Sequence, residues 1–380
     1  MKRKFFSYIF LGAIILAFFV AVFGLSLPVK YSSSDSSTTL STGQTVPKII
    51  HISTPEPLKA IYMTSCVASL RDWRNKIADL IDVTELNSVV VDIKDYTGTV
   101  SFGDLGPKGE GCRVSDMLEF IQDLHDRGIY VIGRVAVFQD PLYAKLHPEL
   151  AVKRKSDGGV WKDRKGLSFI DVGAKEYWNY IVEISKESEK IGFDEINFDY
   201  IRFPSDGNMN DIAFTHTGST TKPLMLKQFF QHLDKSLEGV EIKTSVDLFG
   251  MVTTNSDDLG IGQVLENALP YFDYISPMVY PSHYPAHFNG WPDPNKVPYE
   301  LIKYVMQSAV TKTELLASTT QNFNIKKEQL RPWLQDNDYP IPYTAEMVRA
   351  QIQGTYDAGL TSWMLWDPAN KYTEAALLKN

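Results

Sequence analysis

The 380-residue sequence predicts a (β/α)8 barrel of the TIM-barrel class, preceded by an N-terminal transmembrane helix and a flexible linker. Three observations carry that expectation. Short apolar runs rich in Val, Ile and aromatic residues alternate with longer amphipathic stretches, the pattern of repeated βα units. The short runs lack the in–out alternation of a sheet with one wet face, so both faces of each strand are buried. The stretch that carries them, residues 58–380, has the length of such a barrel, roughly 250 residues plus insertions. An open doubly wound sheet is the alternative, but no G-x-G-x-x-G or G-x-x-x-x-G-K-S/T follows a strand.

The elements follow in order. Residues 58–64 form the first strand, and 71–81 a helix, because Trp73, Ile77 and Leu80–Ile81 recur at helical spacing. Residues 88–94 are a near-continuous apolar strand. Residues 115–127 open on Ser115 as an N-cap and carry Met117, Leu118, Ile121 and Leu124. The third strand is 129–137. A long helix over 175–191 stops at Gly192, and the fourth strand is 193–201. A helix over 223–237 precedes the fifth strand, 241–249, and the sixth is 274–280. A helix over 299–310 is followed by an inserted stretch, 311–330. The seventh strand, 331–335, is weakened by Pro332. A helix over 344–358 ends at Gly359 before the eighth strand, 362–366.

Composition narrows the function. A chain that is 44% hydrophobic and 22% charged is globular, which excludes a largely disordered protein. A net charge of −8 argues against a general nucleic-acid binder. Residues 1–4 carry Lys2, Arg3 and Lys4, and residues 5–29 hold no charge. Such a run spans the ~30 Å hydrocarbon core as a helix, with its basic end cytoplasmic. A cleaved signal peptide is the alternative. Either reading exports the rest. Residues 30–57, rich in Ser and Thr and then stiffened by Pro47, Pro55 and Pro57, form the tether. The two cysteines, Cys66 and Cys112, cannot build a Cys-rich zinc site. They pair outside the cytoplasm or remain two free thiols.

The site is expected at the C-terminal ends of the strands. Asp92, Lys94 and Asp95 close the second strand, and Arg134 lies in the third. Glu195, Asn197 and Asp199 share one face of the fourth by period-two counting. Asp247, Tyr280, Gln335 with Asp336, and Trp366 with Asp367 close the remaining strands. Acids inside apolar runs are costly unless paired. Each has a structural reading: Asp92 neutralised by Lys94, Asp199 paired with Arg202 or Arg134, and Asp95 as a cap or turn residue. The cofactor-free chemistry that uses paired acids is glycoside hydrolysis, in which one carboxyl protonates the leaving oxygen and the other attacks or activates water. Tyr200, Phe203, Tyr280, Tyr284, Trp291, Trp363 and Trp366 lie at or near strand ends, where aromatic faces either stack on sugar rings or fill core. Histidines are few, with His283 and His287 sharing one loop, and neither H-E-x-x-H nor G-x-S-x-G occurs. No metal site and no cofactor are expected.

At Lys59-Ala60-Ile61-Tyr62, Asn87–Asp95 with Gly98, Gly192–Pro204, Asp247–Gly250, Tyr274–Pro281 and Arg331–Asp336 the chain resembles a glycoside hydrolase domain family of (β/α)8 barrels, long catalogued as a domain of unknown function. The most specific piece is Phe198-Asp199-Tyr200-Ile201-Arg202-Phe203-Pro204. Related barrel hydrolases carry a similar F-D-Y-x-R-x-P on strand four, with its Asp taken as catalytic, and the resemblance implies that role for Asp199. The combined expectation is a single-pass cell-membrane protein with an extracytoplasmic barrel that cleaves a polysaccharide. Asp199 is nucleophile or base, and Asp247 is the general acid with Asp367 as its alternative. Asp92, Arg134, Asn197, Tyr200, Arg202, Tyr280, Gln335, Trp366 and Asp367 line the sugar subsites. The rival expectations are a glycan-binding barrel without turnover and a structural envelope protein whose strand ends are plugged.

Overall fold

A computed structural model describes residues 50–380. The expected basic end (1–4), the transmembrane segment (5–29) and most of the linker (30–57) lie outside the described residues. Among the described residues no helix is long and apolar enough to cross a membrane.

Eight parallel strands close into a barrel in chain order: β1 (Lys59–Met63), β2 (Ser88–Lys94), β3 (Tyr130–Ala136), β4 (Glu195–Asp199), β5 (Lys243–Phe249), β6 (Tyr274–Met278), β7 (Trp333–Gln335) and β8 (Trp363–Trp366). Closure is made by β8 on β1, with Lys59 beside Trp363 and Ile61 beside Leu365. Burial on both faces explains the unbroken apolar runs. On β2, Val89, Val91 and Ile93 pack against the helical layer, whereas Val90 joins Ala60, Tyr62, Ile132, Trp333 and Met364 inside the barrel. The helical layer demands close approach at one point. A Cβ on Gly133 would meet Ile93 Cδ1 at 2.0 Å, so only glycine fits the outward face of β3 there.

The N-terminal floor of the barrel is sealed by a buried ion pair. Arg331 Nη1 donates to Glu195 Oε2 at 2.9 Å, and the Tyr130 hydroxyl reaches the same oxygen at 3.1 Å. The last residues of the expected linker dock there as well. The Ile52 amide donates to Asp194 Oδ1 at 2.8 Å, and Thr54 Oγ1 lies 3.1 Å from the Tyr130 hydroxyl.

Several elements depart from expectation for local reasons. The helix Met117–Asp126 is capped by Asp116, not Ser115. Asp116 makes no capping bond because Arg74 takes its carboxylate at 2.8 and 2.9 Å, and those bonds hold its pKa down at about 2. The helix expected to stop at 310 runs over Pro298–Thr320, so half of the expected insertion is helix. It ends at Gln321, which adopts the left-handed conformation. β7 has three residues because Pro332 has no N–H to donate, and Pro277, inside β6, likewise leaves one ladder position without a donor. The β6–β7 seam has Met278 beside Trp333 as its one ladder pair, reinforced by Arg331 N to Ile275 O (2.8 Å) and Val279 N to Trp333 O (3.2 Å). The helical ring is also incomplete. A single turn, Leu265–Ala268, follows β5. Among the described residues no α-helix follows β8, and the tail returns so that the Glu85 amide donates to Leu378 O at 2.8 Å.

Cys66, just after β1, is bonded to Cys112 in the loop after β2, with Cα atoms 4.9 Å apart. The bridge ties the helical turn Ser65–Ala68 to the loop after β2 at the C-terminal mouth. It closes 46 residues of chain, for which loop-closure entropy gives at most about 4 kcal/mol. Cys66→Ser should therefore lose about 2–4 kcal/mol in denaturant unfolding. Wild-type protein kept in reductant should show the same loss; equal midpoints with and without reductant would contradict it.

Candidate active site

The site grows from Arg134. Its place on β3, two residues after Ile132, turns it into the barrel, one layer above the apolar filling. Its Nη1 donates to Asp92 Oδ1 at 2.7 Å. Its Nε donates to Asp199 Oδ2 at 3.2 Å, with Nη2 on the same oxygen. The Nε also stands 3.9 Å from Asp247 Oδ2. Burial opposes this guanidinium's charge, but Asp199 and Asp92 outweigh it and raise its pKa well above the ordinary value.

Asp199 ends β4. Its second oxygen accepts the Tyr200 amide at 2.5 Å, and Tyr200 itself sits at φ 49°, a conformation side chains other than glycine rarely adopt. That turn sets the Tyr200 ring 6.0 Å from the Arg134 guanidinium and 5.6 Å from that of Arg202. Asp247, from β5, is held differently. Its Oδ1 accepts Asn197 Nδ2 and Trp333 Nε1, both at 2.8 Å, and among the described residues no hydrogen bond reaches Oδ2. Burial, and next the charge of Asp199, raise the Asp247 pKa well above the carboxylate range; Arg134, Asn197 and Trp333 pull the other way and are outweighed.

These groups open onto a cavity of about 210 Å³ at the mouth. Asp199, Asp247, Arg134 and Arg202 supply its charged wall; Tyr200, Phe249, Met278, Tyr280, His283 and Trp366 supply the rest. A wider hollow of about 480 Å³ beside Leu70, Trp73 and Lys76 contains one carboxylate, Asp72, and so cannot host acid-pair chemistry.

The structure thus brings together Asp199, Asp247, Arg134, Tyr200, Arg202, Tyr280 and Trp366, as the strand ends predict. It places four expected lining residues elsewhere. Asp92 lies behind Arg134, bonded to it and to the Tyr62 hydroxyl. Lys94 does not neutralise it, since a register shift after Asp92 sends Lys94 to Asp140 at 2.9 Å. Asn197 lies one layer below the cavity and serves Asp247 and Ser245. Gln335 is consumed by loop backbone, accepting from Ser282 N at 3.2 Å and donating to Asn337 O at 3.1 Å. Asp367 caps its own turn, accepting the Ala369 amide at 2.7 Å. Among the described residues Arg202 makes no ion pair with Asp199, whose cation is Arg134. Among the other aromatics, Phe203, Tyr284, Trp291 and Trp363 are packing residues. Trp333, Tyr62 and His283 enter the site without having been singled out for it. A tryptophan in a strand reads as core, and only its indole N–H, buried opposite an acid, marks Trp333 as part of the machinery.

The closed parallel barrel thus presents two carboxyls in unlike environments in one aromatic-walled cavity. The chain belongs to the family described as "Putative glycosyl hydrolase domain", which it matches over residues 60–372. It is similar in structure to the PgaB (BpsB) glycoside hydrolase domain from Bordetella bronchiseptica, at TM-score 0.58 and 14% identity, over 82% of this chain and 94% of that one. It is also similar to alpha-L-fucosidase isoenzyme 2 from Paenibacillus thiaminolyticus, at TM-score 0.55 and 11% identity, over 84% of this chain and 48% of that one. At such identities the likeness shows the barrel fold. A hypothetical protein from Ruminiclostridium thermocellum is 32% identical over 53% of this chain and 98% of its own, at TM-score 0.44. No curated protein matches the chain in sequence.

Removing Arg134 leaves Asp92 and Asp199 buried without their cation. Arg134→Met should cost about 3–5 kcal/mol of stability at neutral pH, the penalty for breaking a buried ion network from one side. The cost should shrink on acidification as the stranded carboxylates take up protons. A loss under about 1 kcal/mol in urea unfolding would show that the network is not buried in solution.

Proposed function

We propose that the protein hydrolyses glycosidic bonds of a polysaccharide at the barrel mouth, with Asp247 as general acid and Asp199 as nucleophile or base. The observation that carries this reading is the unequal treatment of the two acids. Asp247 has one oxygen pinned by two N–H donors and the other without a hydrogen bond among the described residues, in a setting that favours its protonated form. Asp199 accepts N–H bonds on both oxygens. Two carboxyls in such unlike settings divide the acid role from the nucleophile or base role. A sugar seated in the cavity would meet Trp366 and Tyr280 as stacking surfaces, and Trp366 is itself braced against Tyr62 with ring centroids 4.1 Å apart. A plugged structural barrel would have no such cavity.

The substrate is a cell-envelope or extracellular polysaccharide, because the disulfide suits an oxidising compartment and the uncharged run 5–29 suits a single-pass anchor that leaves the barrel outside the cytoplasm. No nucleic acid is a partner, given the net charge of −8.

Reducing ends released from a panel of cell-wall and capsular polysaccharides test the reading. Asp199→Asn and Asp247→Asn should each lower turnover about 10²–10⁴-fold; the melting temperature should hold for Asp247→Asn, whereas Asp199→Asn also takes a counter-charge from Arg134 and should melt lower. Undiminished glycan binding without cleavage by wild type would favour the glycan-binding barrel instead.

The pH profile carries a signed expectation. Activity needs Asp247 protonated, and its pKa is raised, so the rate should persist through the ordinary carboxylate range and fall as pH rises through the raised value. Trp333→Phe removes a donor that favours ionised Asp247. It should move the alkaline limb further up in pH; an unmoved or lowered limb would remove Asp247 from the acid role.

A further inference from the structure

Cleavage by Asp199 and Asp247, with Arg134 as their brace, leaves one charged group of the cavity without a task. Arg202 lies three residues beyond β4, lines the cavity and is 8% exposed. Its Nη1 donates to the Phe203 carbonyl oxygen at 3.1 Å and to Ser205 Oγ at 3.2 Å. Its Nε and Nη2 have no acceptor among the described residues, and neither is sealed away from solvent. The guanidinium is held between aromatic faces, 5.0 Å from the ring centroid of Phe249, 5.6 Å from that of Tyr200 and 5.8 Å from that of Phe169.

The other buried arginines differ. Arg134 is paired with Asp92 and Asp199, Arg331 with Glu195, and Arg74 with Asp116. Arg202 forms no ion pair among the described residues; Asp199, Asp206 and Asp163 act on it only from a distance, and burial holds its pKa below the usual guanidinium value. A buried guanidinium without a counter-charge is unfavourable until an anion reaches it. Its free Nε–Nη2 edge offers two parallel N–H groups, the fork that matches a carboxylate or another flat pair of anionic oxygens. The cavity's charges also permit an anion. Asp92 and Asp199 both bond Arg134, so Arg202 is left to meet an incoming negative charge.

We propose that Arg202 is an anion subsite of this cavity, and that the saccharide it receives is acidic, carrying a uronic carboxylate or a sulfate ester on the ring seated beside Asp199. The proposal rests on reading the cavity as the glycosidase site and adds the class of its substrate. Arg202 supplies the bidentate contact, and the aromatic faces fix its plane.

The test titrates glucuronate, glucose 6-sulfate and glucose into the full chain by calorimetry. One of the two anionic sugars should bind at least about tenfold more tightly than glucose, the scale of a hydrogen-bonded charge pair. Which one it is separates carboxylate from sulfate. Arg202→Gln should abolish the preference, and Arg202→Lys should keep part of it. Equal affinity for all three sugars, no binding to any of them, or a preference that survives Arg202→Gln would overturn the proposal. The wild-type comparison decides the matter even where the variant fails to fold. An anion preference without cleavage of any polysaccharide would sustain the subsite and sink the hydrolase reading. Cleavage of neutral polymers without an anion preference would do the reverse.

Discussion

One guanidinium sets the geometry of the mouth. Arg134 reaches Asp92 on one side and Asp199 on the other, and it stands close to Asp247. Three acids from three strands could not be packed together in a water-poor barrel without a cation at their centre. Because Arg134 spends its Nε and Nη2 on Asp199 and only approaches Asp247, it leaves the two acids unequal. Burial and the neighbouring negative charge then load the proton onto Asp247. The division of labour proposed for the pair is therefore a property of where the positive charge sits.

That arrangement depends on the barrel beneath it. Arg134 stands on a plug made of Val90, Ile132, Trp333 and Met364, and the Arg331–Glu195 pair closes the far end. Trp333 belongs to both layers. Its ring fills the interior while its indole N–H holds the acid. A single side chain thus converts packing into proton placement.

The sequence made the faces of the strands legible and hid their depth. Period-two counting turns Asp199, Asn197 and Glu195 inward, and inward they are. It does not say that each step of two descends one layer, so that only Asp199 meets the cavity while Asn197 braces Asp247 and Glu195 joins the floor. Lys94 shows a second blind spot, since the register shift after Asp92 breaks the parity rule within one strand. Gln335 and Asp367 show a third. Both end strands as expected, but the loops that follow claim their side chains, and loop paths are fixed by contacts distant in sequence. The seven expected residues that do line the cavity were visible because each sits on a strand end or within three residues of one, where the backbone direction is set by the barrel.

The weakest wall of the barrel is the β6–β7 seam, where Pro277 withholds an amide donor and one ladder pair remains. Trp333 hangs from that seam, and Tyr280 follows it by two residues. Heat or denaturant that loosens this edge first would release the acid's tether and one cavity wall while the other strands stay bonded. Functional lifetime and global melting are then separate quantities in this protein, and the shorter of the two is governed by a patch of missing backbone hydrogens.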